Sequence, residues 1–482
     1  MKKLLFPLFI LLMLLVCFSA YASGLSITAP ETLTPYQAAE IAVSVPASGT
    51  LSIRVSDTTL QEQDIATNIS VTEGDQRFSY DGLSYNGQPL RLGVYTLTAE
   101  FVSDAGEAES AECNVKALSP LASIEYALPI TDTLYQNQTD PWYLDVKLSA
   151  KGTIMADFAL ASAPEEILYS ASVSAKEALK SYRISWKGLD KKKNALPLGE
   201  YVIRVYSKEN PAYVIENRIQ LVSGEPEKLT VELSGDWYPE TYDDDAVVWA
   251  KLMEPVTVID AAQMSRAKFY EKPNEKSKLV GSIYGTTVAV RVLELNVGKF
   301  AKIGAYCSYD GEYREGYILQ KYLKTVYPNT RYGAVIDKTE QTMTIYGDGK
   351  KLGVMQISTG VMTKDDLAAE TRAGVYLTFD RITDFHDNGF RYDYAIRIDG
   401  PHLIHQMGYT YSSTVKADFT KQNAVLGTKA SHGCVRMNAV PTEESCGINA
   451  YWCWTHLCVR TKIIVIDDTE ARQAQLRELK SK

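Results

Sequence analysis

Apolar and polar positions alternate along most of this chain. Ile41-Ala42-Val43-Ser44-Val45 and Leu51-Ser52-Ile53-Arg54-Val55 carry the two-residue period of strands with one buried face. The alternation, punctuated by turn signals, runs through residues 23–118 and again through 119–224. These two stretches repeat each other. Ser79-Tyr80-Asp81-Gly82-Leu83 and Leu90-Arg91-Leu92-Gly93-Val94-Tyr95 recur as Ser185-Trp186-Lys187-Gly188-Leu189 and Leu196-Pro197-Leu198-Gly199-Glu200-Tyr201, at a constant offset of 106 (185 − 79 and 201 − 95). A repeat of domain length predicts two duplicated antiparallel sandwiches, not a solenoid of short units. Neither copy shows a cluster of acids, bases or nucleophiles, so the pair reads as a plain stalk, with a spacer or adhesion module as the functional alternative.

The pattern breaks at Gly224-Glu225-Pro226-Glu227 and Tyr238-Pro239, and Asp243-Asp244-Asp245 follows. Residues 225–250 read as a solvated linker, because the aspartates lack the alternating ligand spacing of a calcium loop. Residues 251–328 hold short strands such as Val256-Thr257-Val258-Ile259 and Phe300-Ala301-Lys302-Ile303. Residues 331–467 form a further β-rich unit. Its strands include Ala334–Asp337, Thr342–Tyr346 and Val354–Ser358, with Gly347-Asp348-Gly349 as a hairpin turn. Tyr394–Ile398, Leu403–His405 and the closing Lys462–Ile466 are also strands, and His386 falls in a turn. A helix is predicted from Pro441 to about His456. Residues 468–482 read as a polar tail. The fold class is mainly β and multi-domain.

Composition narrows the function. The 482 residues are 23% charged and 45% hydrophobic, which is globular. A net charge of −9 excludes the electropositive surface that nucleic acid requires. Residues 1–22 read as a signal peptide. Lys2 and Lys3 precede the apolar run Leu4–Ala20, and Ala20-Tyr21-Ala22 supplies a cleavage site. An uncleaved anchor is the alternative. Either way the rest of the chain lies outside the cytoplasm, in the cell envelope or cell wall, and the cleaved form has no membrane segment. Beyond Cys17, six cysteines remain: Cys113, Cys307, Cys434, Cys446, Cys453 and Cys458. The last three lack a C-x-x-C pair, so no metal site is expected. They read as packed helix cysteines, with one local disulfide as the alternative.

Candidate chemistry falls at Ser431-His432-Gly433-Cys434-Val435-Arg436. Gly433 keeps the approach to the Cys434 sulfur open and permits a turn that a Cβ would forbid. A thiol needs a base to take its proton, and a cation such as Arg436 stabilises the anion. Backbone N–H groups around a Gly-Cys turn can hold an oxyanion.

Extended by Met437, and flanked upstream by Leu426-Gly427-Thr428-Lys429-Ala430 and Leu403-Ile404-His405, this stretch resembles the signature of the bacterial L,D-transpeptidase catalytic family. The resemblance implies that Cys434 is the nucleophile and His405 the general base. Ser431, His432, Gly433 and Arg436 then shape the site and contact oxyanion or substrate. Three departures stand out. Arg372, in Thr371-Arg372-Ala373-Gly374-Val375-Tyr376, replaces a usual proline. Gln406 stands where the family has glycine or serine. The gap from His405 to Cys434 is 29 positions (434 − 405), with the surplus in Tyr409–Gln422 as either a lid or a surface loop. His402 is the rival base, but its odd spacing from His405 puts the two on opposite strand faces.

The implied activity is an exported L,D-transpeptidase that cross-links peptidoglycan stem peptides through a cysteine acyl-enzyme, with no metal or cofactor. An L,D-carboxypeptidase trimming tetrapeptide stems and a non-catalytic cell-wall-binding protein are the alternatives. Upstream, Gly316-Tyr317-Ile318-Leu319-Gln320-Lys321-Tyr322-Leu323 resembles the closing segment of bacterial Src-homology-3-like barrels. The repeated units resemble immunoglobulin-like modules of exported bacterial proteins. The expected partners are stem peptides and the cell wall, with no nucleic acid.

Overall fold

The computed structural model describes residues 24–34, 37–56, 63–82, 90, 93–117, 122–136, 138, 142–224, 227–412, 415–418, 420–439 and 441–481. The signal segment 1–22 lies outside them. The protein is mainly β and built from several sheets.

The sequence repeat is a repeat of topology. Counted along each of the first two units, strands one, three and six form one sheet. Strands two, eight, seven, four and five form the other, in that spatial order. Strand two runs parallel to strand eight in both. The seventh strands, Gly93–Ser103 and Gly199–Ser207, start 106 residues apart (199 − 93). Inward positions of the alternating runs fill the space between sheets: Ile41, Val43, Leu51 and Phe101 in the first unit, Trp142, Leu144, Phe158 and Trp186 in the second.

The stretch expected as a linker ends in a helix, α1 (Asp245–Met253). The Asp244 carboxylate accepts from the Ala246 N–H at 2.9 Å, so the aspartate run is an N-cap. Val248 and Leu252 of α1 are fully buried. Leu252 packs so closely on Gly333 that a Cβ there would lie 2.9 Å from its methyl. Next comes a five-stranded sheet in the order Leu279–Tyr284, Arg266–Tyr270, Tyr313–Leu319, Phe300–Tyr306, Arg291–Val297. It wraps a core of Phe269, Ile283, Val292 and Ile303.

The C-terminal unit is one nine-stranded sheet. Its strands are β1 (Tyr332–Asp337), β2 (Thr342–Gly347), β3 (Lys350–Ser358), β4 (Gly374–Leu377), β5 (Arg381–Asp387), β6 (Phe390–Asp399) and β7 (His402–Gln406). A hairpin follows, β8 (Thr410–Ser412) and β9 (Val415–Asp418), and then β10 (Val435–Met437) and β11 (Lys462–Val465). The order is β4-β11-β1-β2-β3-β10-β7-β6-β5, with the β8–β9 hairpin apart as its own two-stranded sheet. Asp348 and Gly349 both have positive φ, 49° and 81°, as the tight turn between β2 and β3 requires.

The five-stranded sheet's unit and the C-terminal unit share backbone bonds. The Ala289 N–H donates to the Val375 carbonyl at 2.9 Å, and the Leu377 N–H to the Thr287 carbonyl at 2.8 Å. Tyr284 and Val288 belong to the same core cluster as β1 and β2.

Several expectations are corrected. The helix predicted from Pro441 is α2 (Ala450–His456). Cys446 and Gly447, at φ 50° and 84°, break the earlier turn, and the Asn449 side chain caps the later one by accepting from the Trp452 N–H at 2.9 Å. The polar tail is helix α3 (Thr469–Ser481), anchored by buried Arg472, whose Nε donates to Glu370 at 2.6 Å. His386 lies in β5, not a turn. All six cysteines beyond Cys17 are free thiols, so the local disulfide is absent.

Candidate active site

Cys434 sits at the entrance to β10, which lies between β3 and β7 in the sheet. The β7–β10 pairing is parallel, with Ile404 opposite Val435, His405 opposite Arg436 and Gln406 opposite Met437. Val435, Met437 and Ile404 are fully buried core residues. Strand alternation therefore puts Cys434 and Arg436 on the other face of β10, the face that β7 lines with Leu403 and His405. The Leu403 N–H donates to the Cys434 sulfur at 3.4 Å.

His405 is 2% exposed. Its Nδ1 lies 2.7 Å from the Gln406 carbonyl, so Nδ1 carries the proton and Nε2 is left as the acceptor. The substitution of Gln406 for a small residue is therefore immaterial to this bond, since the backbone makes it. Phe385 and Tyr392 clamp the ring edge-on, at centroid distances of 5.3 and 5.0 Å. Burial lowers the His405 imidazole to about 4, opposed by the Gln406 carbonyl and reinforced by the Arg436 charge. Burial also pushes the half-buried Cys434 thiol up, against the pull of the Leu403 N–H and of Arg436. The resting pair is thus a neutral thiol and a neutral imidazole. Such a pair suits a base that removes the proton as the sulfur attacks, rather than a preformed thiolate.

Gly433 adopts φ +115°, a conformation other residues rarely take. Its carbonyl accepts from the Thr371 hydroxyl at 2.9 Å, and that hydroxyl accepts from the Gly360 N–H at 2.9 Å. The Ser431 hydroxyl accepts from the Gly433 N–H at 3.2 Å and donates to the Cys434 carbonyl. Ser431 thus serves the turn itself. His432 is exposed. Arg436 is half-buried and lies electrostatically close to both Cys434 and His405.

His402 takes the opposite side from His405, as the strand spacing requires. Its ring lies on Gly433, where a Cβ would fall 2.4 Å from Nε2. Tyr409, the first residue of the long insertion, is buried, and its hydroxyl donates to Asp393 at 2.7 Å. The insertion then forms the β8–β9 hairpin and a helical turn, Thr420–Asn423. Sequence reasoning missed Thr371 and Tyr392, both of which touch site residues. Thr371 stood beside the flagged Arg372, but nothing in a single sequence links it to Gly433. Among the described residues, no group of three His, Cys, Asp or Glu side chains could hold a metal ion.

Residues 331–445 match the family model of the L,D-transpeptidase catalytic domain, YkuD. No curated protein matches the chain. Similar solved structures include an L,D-transpeptidase from Mycobacterium smegmatis, 13% identical over 45% of this chain and 92% of that one, with a TM-score of 0.23. Another, from Mycobacterium tuberculosis H37Rv, is 16% identical over the same shares, also at 0.23. Likenesses this weak carry no argument here, whereas the family match spans β1 to the turn after β10 and contains both Cys434 and His405. The sheet continues past the matched residues, because β11 pairs with β1. Residues 331–445 are an L,D-transpeptidase catalytic domain.

Proposed function

We propose that the chain is an exported L,D-transpeptidase that joins peptidoglycan stem peptides through an acyl-enzyme on Cys434. The observation that carries this reading is the placement of Cys434 and His405 on one face of adjacent parallel strands, with His405 neutral and its Nδ1 committed to the Gln406 carbonyl.

The Cys434 sulfur attacks the carbonyl of the donor's third residue, a diamino acid, while His405 Nε2 takes the thiol proton. Collapse of the tetrahedral intermediate breaks the bond to the terminal D-alanine, whose amine leaves with that proton. A thioester remains. The acceptor amine then attacks the thioester and gives a proton to His405. The new amide forms, and the proton returns to the departing sulfur. Arg436 and backbone N–H groups around the turn stabilise the developing negative charge.

Incubation of the purified protein with disaccharide tetrapeptides, read by mass spectrometry, tests the reading. Cross-linked dimers with loss of one D-alanine are expected. Tripeptides without dimers would make the enzyme a carboxypeptidase, and untouched substrate would remove the activity altogether.

A further inference from the structure

Arg372 occupies the place where the family resemblance has a proline, and it is 3% exposed. Its guanidinium is divided three ways. Nε donates to Asp399 at 2.7 Å, one terminal nitrogen donates to the Ser308 carbonyl at 3.1 Å, and the other lies 2.5 Å from Asp399 and reaches His402 Nδ1 at 3.3 Å. Burial alone would raise the Asp399 carboxyl, and Arg372 reverses this and holds it below its ordinary range. The pair is therefore a fixed ionic anchor inside the protein.

The contact with His402 has a chemical consequence. A guanidinium only donates, so in the tautomer where Nδ1 of His402 accepts from Arg372 the ring carries its proton on Nε2. Asp399 lies 3.8 Å from the same Nδ1, so its carboxylate sits beside both the guanidinium and the ring. The ring so fixed lies flat against Gly433, one residue before the nucleophile. Thr371, the neighbour of Arg372, holds the Gly433 carbonyl. Consecutive residues of one loop therefore grip the nucleophile turn, one directly and one through His402.

Ser308 belongs to another unit, the one built on the five-stranded sheet. Its hydroxyl is within 2.8 Å of that of Ser282. The same unit supports the hairpin that carries His402 and His405. Gln263 donates to the Gly400 carbonyl at 3.0 Å, and the Tyr284 ring fills the space where a Gly400 Cβ would sit.

We propose that Arg372 is a positioning residue for the nucleophile turn: it fixes the His402 imidazole against Gly433 and ties that brace to the neighbouring unit at Ser308. This rests on the proposed acylation of Cys434. Lysine cannot replace the fork, since one ammonium cannot span Asp399, Ser308 and His402 in this planar arrangement, although it keeps a charge beside Asp399.

The test uses the full chain, Arg372→Lys, His402→Gln and the double variant. The rate of adduct formation at Cys434 is followed by intact mass over a range of carbapenem concentrations, with the thermal midpoint measured alongside. Arg372→Lys is expected to lower the saturating acylation rate by about tenfold to a hundredfold, the scale of a small misplacement of reacting groups. The half-saturating concentration is expected to stay near that of the unsubstituted chain. Adding Arg372→Lys to His402→Gln is expected to cost nothing further, because both break one brace. A saturating rate for Arg372→Lys equal to that of the unsubstituted chain, or losses that multiply in the double variant, would overturn the role. If Arg372→Lys melts below the assay temperature, His402→Gln decides, since it leaves the Arg372–Asp399 pair intact. Its slowed acylation at an unchanged midpoint supports the brace, and an unchanged rate overturns it. Absence of any adduct on the unsubstituted chain would sink the proposed function, and this inference with it.

Discussion

The main-chain N–H of Leu403 points at the sulfur of Cys434 from 3.4 Å, and this contact ties the proposed nucleophile to the strand that carries the proposed base. His405 follows Leu403 by two positions and so shares its face of β7. His402 precedes it by one and faces Gly433 instead. Strand geometry thereby places the two histidines on opposite faces, His405 as the proposed base and His402 as the proposed brace.

His405 is expected to set the acid limb of acylation. Its imidazole, ordinarily near 6.5, is lowered to about 4. It is neutral, and able to accept, down to about pH 4, so the rate with a carbapenem should hold from neutral pH to about 5 and then fall. His405→Ala should slow acylation about a hundredfold or more at neutral pH. Its residual rate should climb with pH as the thiolate forms unaided, and exposed His432→Ala should keep the parent profile. Stopped-flow fluorescence across pH reads all three, and a parent acid limb centred near 6.5 would contradict the burial argument.

Gly433 is expected to tolerate no side chain. An added Cβ would lie 2.4 Å from His402 Nε2, and φ +115° is strained for any other residue. Such strain costs about 1–3 kcal/mol before the clash is counted. Gly433→Ala should therefore lose most acylation and lower the urea midpoint. An alanine variant with parent acylation and stability would mean that the turn relaxes freely.

Much of this arrangement was legible in the sequence. The alternation of Ile41, Val43 and Val45 is that of a strand with one buried face, and the 106-residue repeat marks a repeated topology. The run from Ser431 to Met437 points to Cys434 as the candidate nucleophile because a glycine and a histidine precede only that cysteine. What stayed hidden depends on tertiary contact. Arg372 stood out only as a replaced proline, because nothing in one sequence places Asp399, His402 and Ser308 around it. The α1 helix was missed although Asp244 capping an apolar run is a start signal. Three aspartates together read first as solvated charge. The helix expected from Pro441 starts only at Ala450 for a local reason, the positive φ at Cys446 and Gly447.

Thiol reactivity should separate the cysteines. Cys446 is exposed, whereas Cys453 and Cys458 are buried and burial pushes their thiols up. Iodoacetamide should modify Cys446 in the folded protein and reach Cys453 and Cys458 only after denaturation. A carbapenem should acylate Cys434 alone, so Cys434→Ala should show no adduct while Cys446→Ala acylates normally. Peptide mapping distinguishes these sites, and an adduct persisting in Cys434→Ala would move the nucleophile elsewhere.

Acid should destabilise the protein through His456 as well as His405. The His456 ring stacks on Trp452 at 4.2 Å, and burial lowers it to about 4. With the folded value below the unfolded one, its contribution is complete above about pH 6.5 and is lost as pH falls toward 4. A shift of this size corresponds to about 3 kcal/mol. His456→Phe keeps the stacking and removes the titration, so its stability should fall less between pH 7 and 4 than that of the parent. An equal loss of unfolding free energy in the two proteins between pH 7 and 4, from urea titrations, would refute this.

The catalytic domain should not fold when cut at its own first strand. A chain beginning at Tyr332 loses α1, whose Leu252 fills the space against Gly333. It also loses Tyr284 and Val288 from the core cluster and the backbone bonds from residues 287 and 289 to β4. Each large side chain removed from such a core costs about 2–5 kcal/mol, which together exceeds the stability of a typical domain. A chain beginning at Lys228 keeps all of these. It loses the second unit's contacts, chiefly Leu128 in the core cluster and Tyr126 edge-on to Trp454 at 5.2 Å, and the contact of the first unit's Gly93–Ser103 strand with β9. The longer chain should fold with a lowered thermal midpoint and still acylate at Cys434. The shorter one should give no cooperative melt and no adduct. If the chain from Tyr332 melts cooperatively and acylates at the full-length rate, the neighbouring unit is not part of the catalytic fold, and the contacts from Tyr284 and Ser308 carry no weight in the site.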